Sequence, residues 1–449
     1  MARVAWFSPM PPSRTGVAAY SAEMVASLAA DHSIDVFVDE SITPLQTSSA
    51  GARSAHDFLW LNHLNPYDLT VYQLGNSGAH DYQWPYVFRF PGLVVLHDAH
   101  LHHARAATLL LRGRANDYRA EFAASQPDTS ADMAELAVAG FESHLYYSWP
   151  MTRLVALASR LTAVHSPLLA ESLRADAPGA RVEPIRLAHG TRVEGEAAAA
   201  AAARVRARHR LDPQDVVFGV FGGLTAEKRI PQVLSAFAAL LPYVPAARLV
   251  LAGEAAPYYD LRGDIDRLGL RDRVVVTGFV ENDELFTEYV AGCDVSINLR
   301  WPTAREVSGP WVRALAAARP TITMDLAHTA DVPALDPRTW TVPQTLSERE
   351  PVTVSIDILD EDHSLRTAMR RLATDPALRE RLGRAAASYW EREHSMRPAI
   401  EDYRRVLATA RHCPVPPVTL PVHLRTSGGE GLNQLLEPFG LSANVWSKI

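Results

Sequence analysis

The chain alternates short, almost wholly apolar runs with longer stretches whose apolar residues recur at helical spacing. In the first half the short runs are Arg3–Phe7, Ile34–Val38, Leu69–Gln73, Leu93–His97 and Leu161–Val164. In the second half they are Val216–Phe221, Arg248–Ala252, Val274–Thr277, Val295–Asn298 and Thr321–Met324. A run such as Val216–Phe221, with no polar alternation, suits a strand covered by helices on both faces. Strand and helix patterns in alternation predict an α/β fold with parallel sheets. Between the halves lies Glu194–Arg210, where seven successive alanines, Ala197–Ala203, precede Arg204, Arg206, Arg208 and Arg210. Alanine is the strongest helix former, so this stretch is expected to be an exposed linker helix with a solvated basic end.

The organisation expected is a first α/β domain over residues 1–190, the linker over 191–212, a second α/β domain over 213–390, and a helix with an irregular tail over 391–449. Asp375–Ala410 reads as helices in which Tyr389, Trp390, Tyr403 and Val406 pack. Pro414, Pro416, Pro417 and Pro421 then end the periodicity, and Gly428-Gly429-Glu430-Gly431 reads as irregular chain. Two such domains are expected to hold a ligand between them, at the C-terminal ends of their strands.

Composition narrows the partners. Of the 449 residues 47% are hydrophobic and 21% charged, an ordinary globular balance. The net charge of −7 argues against nucleic acid, which demands a basic surface. No apolar run is long enough to span a bilayer. The N-terminal residues lack the apolar core of a signal peptide, and two cysteines, Cys293 and Cys413, make no disulfide framework; a reducing cytoplasm is the expected location.

Four places carry candidate chemistry. Phe7–Tyr20 runs from a strand through a Pro-rich loop, with Arg14, to Gly16, which opens a helix bearing Tyr20. Free N–H groups and close backbone approach at Gly16 suit a phosphate, and the absence of a GxGxxG pattern argues against a nicotinamide or flavin. His97-Asp98-Ala99-His100-Leu101-His102-His103 follows another strand end. His97 is best placed to bond a sugar hydroxyl or phosphate, and Asp98 to fix its tautomer or meet an acceptor hydroxyl. His80 is a further candidate. His102 and His103 read as ordinary helix-surface residues, and the spacing matches no catalytic zinc helix. In Phe221–Arg229 a buried strand enters a loop with Gly222 and Gly223, where Lys228 and Arg229 suit a diphosphate leaving group. In Leu299–Leu315, Ser308 or Gly309 starts a helix whose first turn accepts Pro310. The N–H groups of Val307, Ser308 and Gly309 suit a phosphate, and Glu306 suits sugar hydroxyls, the natural donors to a carboxylate there. Asp264 and Asp266 have the spacing of a metal pair but fall inside a helix pattern, Tyr258–Leu268.

At these four places together the sequence resembles retaining glycosyltransferase family four, over roughly Val4 to Arg404 and most strongly from Val216 to Pro333. The resemblance implies a GT-B fold: two Rossmann-like domains with parallel sheets facing each other across a cleft, and a C-terminal helix, Arg397–Ala410, crossing back to the first domain. It implies a hexosyltransferase that takes a nucleotide-diphosphate sugar as co-substrate, needs no metal or other cofactor, and acts with retention on a carbohydrate or lipid-linked acceptor. Gly16 then matches the glycine loop near the donor phosphate, His97 the histidine that contacts the transferred sugar, and Lys228 the diphosphate lysine. Gly278-Phe279-Val280 resembles the loop whose backbone reads the base, and Glu306 the first glutamate of the family's paired motif. Arg14, Tyr20, His80 and Asp98 fall on the acceptor side. Two departures stand out: Gly223 replaces an arginine of the diphosphate loop, and Arg313 stands where a second glutamate binds the ribose. Two other classes stay open on the residues alone. One is a non-catalytic sugar-nucleotide or glycan-binding module on the same scaffold. The other is a metal-dependent hydrolase using His97–His103. Arg105, Arg112, Arg114 and Arg119 among Leu109–Leu111 leave a peripheral membrane surface open, and the sequence fixes no oligomeric state.

Overall fold

The apolar runs become the strands of two parallel sheets. The computed structural model describes residues 1–41, 51–141, 145–425 and 436–440, so the glycines at 428–431 lie outside the described residues. The first sheet contains β1 (Ala2–Phe7), β2 (His32–Val38), β3 (Arg53–Ser54), β4 (Leu69–Leu74), β5 (Leu93–Leu96), β6 (Leu161–Val164) and β7 (Val182–Pro184), in the order β3-β2-β1-β4-β5-β6-β7. The second contains β8 (Val216–Phe221), β9 (Ala247–Ala252), β10 (Val274–Val276), β11 (Val295–Asn298), β12 (Thr321–Met324), β13 (Ala334–Leu335) and β14 (Thr353–Ile356), in the order β10-β9-β8-β11-β12-β14-β13. Both are doubly wound, Rossmann-like sheets, as the alternation predicts. In each, the order reverses beside the first strand, between β1 and β4 and between β8 and β11. That reversal opens a crevice beyond the strands' C-terminal ends, where open α/β sheets bind ligands.

The chain forms two compact units, one around each sheet. The first comprises Met1–Val164, Ala170–Glu183 and Arg405–Ile449, the second His165–Leu169 and Pro184–Arg404. The helix Met396–His412 begins in the second unit and ends in the first. The buried β8 shows why its run is unbroken: Phe218 and Val220 join one apolar cluster, Val217 and Phe221 another. Each face of the strand is therefore covered. In the first unit Phe7 packs against Phe37, Phe58 and Tyr72 with ring centroids 5.0–5.1 Å apart. Rings of this size contribute about 1.5–3 kcal/mol each on full burial. Cys293 and Cys413 are both free thiols. Among the described residues no helix is long and apolar enough to cross a membrane.

The alanine-rich segment departs from expectation. It is a helix, Gly195–His209, but Ala198, Ala201 and Val205 are buried on the second unit. Its small side chains let it lie close to the helix Asp283–Gly292, where a Cβ added at Gly292 would meet Val205 at 2.7 Å. Nor is its basic end free in solvent. Arg204 and Arg208 pair with Glu288, and Arg206 with Asp294. Alanine here serves close packing as well as propensity.

Candidate active site

Two loops meet at the crevice of the second unit, Gly222–Arg229 after β8 and Leu299–Ser308 after β11. They are joined by a backbone hydrogen bond from Trp301 N to Glu227 O, 2.7 Å. Gly222 takes φ +80, a conformation glycine adopts freely, and so turns the chain off the strand. The turn folds Lys228 beneath it: the ammonium is buried and donates to the Phe221 carbonyl. A Cβ built on Gly222 would lie 2.9 Å from Lys228 Nζ and 3.5 Å from Pro310 Cγ. The lysine charge therefore sits beside the start of the helix Gly309–Ala316. Burial pulls the Lys228 ammonium down to about 7, the nearby Arg300 charge adds to this, and Glu306 opposes it. A buried cation held this far below its ordinary range gains by acquiring an anion. Gly223 leaves open space, with nothing within 4 Å of an added Cβ.

The second loop brings Arg300 and Glu306 close to the Lys228 charge. Ser308 stands at the helix cap position, yet its hydroxyl donates to Asn298 Oδ1 (2.9 Å) instead of capping. Pro310 lacks an N–H, and the first turn of any helix leaves its N–H groups without intrahelical partners. Val307, Ser308 and Gly309 thus present backbone donors and a positive helix end, as the sequence suggests. Glu306 is held from both sides: Arg300 Nε lies 2.5 Å from Oε1, and Thr303 donates to Oε2 at 3.0 Å. Its carbonyl is 3.1 Å from His328 Nε2. A cavity of about 340 Å³ opens beside it, lined by Arg300, Thr303, Ser308 and Trp311 among others. Its volume suits a small ligand. After β10, Gly278 has φ +70 and open space around it, Phe279 exposes 40% of its ring residue, and Val280 packs inward. An exposed aromatic face there suits stacking by a planar ring.

Two expected ligand cations are committed elsewhere. Arg229 turns away in a left-handed conformation (φ 58) and grips Glu361 with two hydrogen bonds, Nε at 2.8 Å. Its charge is neutralised by that carboxylate, so Lys228 is the buried cation of this loop. Arg313 is also buried. It donates from Nε to His189 Nε2 at 2.9 Å and from Nη2 to Asp283, and lies over Phe286. Burial and this guanidinium push His189 down to about 3, so the imidazole is neutral and accepts the bond. Asp283, at the start of the helix Asp283–Gly292, keeps its side chain 66% exposed while paired with Arg313.

In the first unit, Thr15 caps the helix Gly16–Leu28 by accepting from Ala18 N (3.1 Å), and an added Cβ at Gly16 would meet nothing. Arg14 is exposed on the same loop. His97 is oriented by Gln73, with Nε2 2.8 Å from Oε1, and by the edge of Tyr20 at 4.9 Å. Asp98 accepts from Asn76 N at 2.6 Å. Tyr20 and His80, expected on the acceptor side, are both buried. His80 lies against Gln73 O (2.8 Å), and burial depresses its imidazole to about 4.

The remaining histidines do not converge. His102 is not on the surface: it is buried between Trp149 O (2.9 Å) and Tyr118 OH (2.8 Å), and burial holds it at about 4. His103 packs on Tyr146 and Tyr147, and His100 is buried. Among the described residues no group of three or more His, Cys, Asp or Glu is arranged to hold a metal. Asp264 bonds Tyr259 and Arg267, and Asp266 pairs with Arg271. The residues that sequence reasoning gave no role are Arg300, Thr303 and Asn298, which hold Glu306 and Ser308, and Gln73, which aims His97. All four sit in loops or at strand ends, where no periodicity marks them.

Comparison with known proteins bears on the fold and on the second unit. Residues 215–345 match the family model described as Glycosyl transferases group 1. No curated protein matches the chain in sequence. Among solved structures, the chain is similar to sucrose-phosphate synthase from Thermosynechococcus elongatus, at 16% identity and TM-score 0.59, over 91% of this chain and 100% of that one. It is similar to Anabaena HepE, solved in complex with UDP and glucose, at 15% identity and TM-score 0.60, over 91% and 100%. It is also similar to WaaG, a glycosyltransferase involved in lipopolysaccharide biosynthesis, at 15% identity and TM-score 0.58, over 90% and 99%. At such identities the likeness is one of fold. The fold is GT-B, built of two Rossmann-like domains, and the second unit carries a segment similar to group 1 glycosyltransferases.

Proposed function

We propose that the chain is a retaining, metal-independent hexosyltransferase that moves a hexosyl group from a nucleotide-diphosphate sugar to an acceptor hydroxyl. The observation that carries this reading is the buried Lys228 ammonium beside the start of the helix Gly309–Ala316, with Glu306 held next to it. A diphosphate gains negative charge as it leaves, and a buried cation with preorganised N–H donors stabilises that charge most where water is excluded. Glu306, positioned by Arg300 and Thr303, accepts from sugar hydroxyls and fixes the ring over the phosphate. Phe279 stacks on the base, and Asp283, held by Arg313, takes the ribose. In the first unit this reading gives Gly16, Arg14, His97 and Asp98 to the acceptor.

Retention follows in this reading from the leaving phosphate itself. Held by Lys228 and the Val307–Gly309 donors, it removes the acceptor proton on the face it departs from, so no second carboxylate nucleophile is required. A thermal-shift series across nucleotide-diphosphate sugars tests the donor half, because a ligand that binds the folded chain raises its melting temperature by mass action. One base and one sugar should stand out. A flat response to every nucleotide sugar would sink the proposal.

A further inference from the structure

A second cavity, of about 530 Å³, lies wholly within the first unit. Its wall carries Arg89, Arg105, Arg112, Arg114, Arg425 and His423. Two of the arginines are committed. Arg105 is buried, makes two hydrogen bonds to Glu121, and lies 4.0 Å over the Trp84 ring. Arg114 pairs with Asp117 at 2.7 Å. His423 bridges these carboxylates, at 2.9 Å from Glu121 and 3.3 Å from Asp117, and so fixes the segment that carries Leu424 and Arg425 across the cavity. Arg89, Arg112 and Arg425 are different: among the described residues none forms an ion pair or hydrogen bond. Three like charges turned to one concavity repel unless an anion joins them. Guanidinium forks match a phosphate's oxygens in pairs.

The cavity also holds one carboxylate, Asp81. Its Oδ2 accepts from Thr108, while its buried Oδ1 has no hydrogen-bond partner among the described residues. A buried acceptor without a donor is costly, and a ligand hydroxyl would satisfy it. Phe88, Leu420 and Leu424 give the rest of the wall an apolar character that suits the carbon face of a small polyol. We propose that this cavity binds a phosphorylated polyol, its phosphate on Arg89, Arg112 and Arg425 and a hydroxyl on Asp81. A soluble sugar phosphate and the headgroup of a phosphatidylglycerol membrane share this chemistry. The site is separate from the proposed donor site and does not rest on it, since no residue of that site lines it.

The test is calorimetric titration of the full chain and of the R112Q/R425Q variant with inorganic phosphate and with a hexose 6-phosphate, alongside sedimentation with vesicles of phosphatidylglycerol in phosphatidylcholine. Both substituted residues are exposed, and equal melting temperatures without ligand verify that the variant folds. Hexose phosphate should bind the parent chain more tightly than inorganic phosphate does, and about tenfold more weakly for each guanidinium removed. Vesicle binding that the variant loses, with no soluble binding, supports the proposal with the lipid headgroup as source. Binding that is the same in parent and variant for every probe overturns it. Equal affinity for the two soluble anions overturns the hydroxyl contact to Asp81.

Discussion

The most demanding consequence of the site concerns pH. The free chain holds Lys228 at about 7 because burial and the Arg300 charge disfavour the ammonium. A bound diphosphate reverses this, since two phosphates beside the nitrogen keep the proton on well above pH 9. Binding is then linked to uptake of one proton. With the free value at about 7, roughly nine-tenths of the chain carries that proton at pH 6 and about one-hundredth at pH 9. Donor affinity should therefore fall about 90-fold across this range, or ~2.7 kcal/mol. Ordinary carboxylates have finished titrating below it. Nucleotide sugars, lacking a terminal phosphate, keep a constant charge throughout. Calorimetric titration with the best nucleotide sugar, from pH 6 to 9, reads the slope directly. Lys228→Met should bind weakly at pH 6 and show no slope. Affinity that is flat with pH in the parent chain, or that falls equally in the variant, refutes the reasoning. The unliganded chain offers a sign check. The unfolded lysine titrates near about 10.4, so between pH 7 and that value the unfolded chain binds the proton that the folded chain has released. This group's contribution to stability must rise with pH there.

Other substitutions separate the site from its supports. Glu306→Ala should lower kcat/KM by about 10² by loosening the sugar ring, read as nucleoside diphosphate release, while the melting temperature stays within a few degrees. Arg313→Met strands Asp283 and His189 and should cost about 1–3 kcal/mol in urea unfolding of the second unit. It should also weaken nucleotide binding if Asp283 takes the ribose. Arg105→Met leaves Glu121 buried with one partner fewer and should cost about 3–5 kcal/mol, confined to the first unit. Loss of the donor response in that variant would contradict the separation of the two units' roles.

Much of the fold can be read from the chain because its centre obeys simple periods. All ten apolar runs contain strands, because apolar residues dominate each one even where Asp35, Gln73 or Ser296 interrupts it and where the edge strand β10 exposes Val276. The four strands without such a signal fail for definite reasons. β3 and β13 span two residues each, β7 contains Pro184 at an edge, and β14 places Thr353 and Ser355 on a polar face where Thr353 bonds Thr321. The local geometry of the candidate site is legible where backbone chemistry sets it: the turn at Gly222, and the helix start at Gly309 with Pro310 in its first turn. It was illegible where a distant partner decides a side chain's role. Arg229 meets Glu361 132 residues away, Arg313 meets His189 124 residues away, and Arg105 meets Glu121 sixteen residues on across two helices. Sequence spacing carries no trace of such pairings, so cations that read as ligands turn out to be structural. The same gap hides His102, which a helix-surface pattern exposes and the core around Tyr118 covers.

The central claim, that this chain transfers a sugar from a diphosphate held at Lys228 and Glu306, is tested most directly by following the purified chain with a nucleotide sugar and an alcohol acceptor by phosphorus and proton NMR. The account predicts release of a nucleoside diphosphate, a product with the donor's anomeric configuration, and loss of both signals in Glu306→Ala. An inverted anomer would contradict the retaining mechanism, and an intact donor, with every nucleotide sugar and no added protein, would contradict the assignment of the site itself.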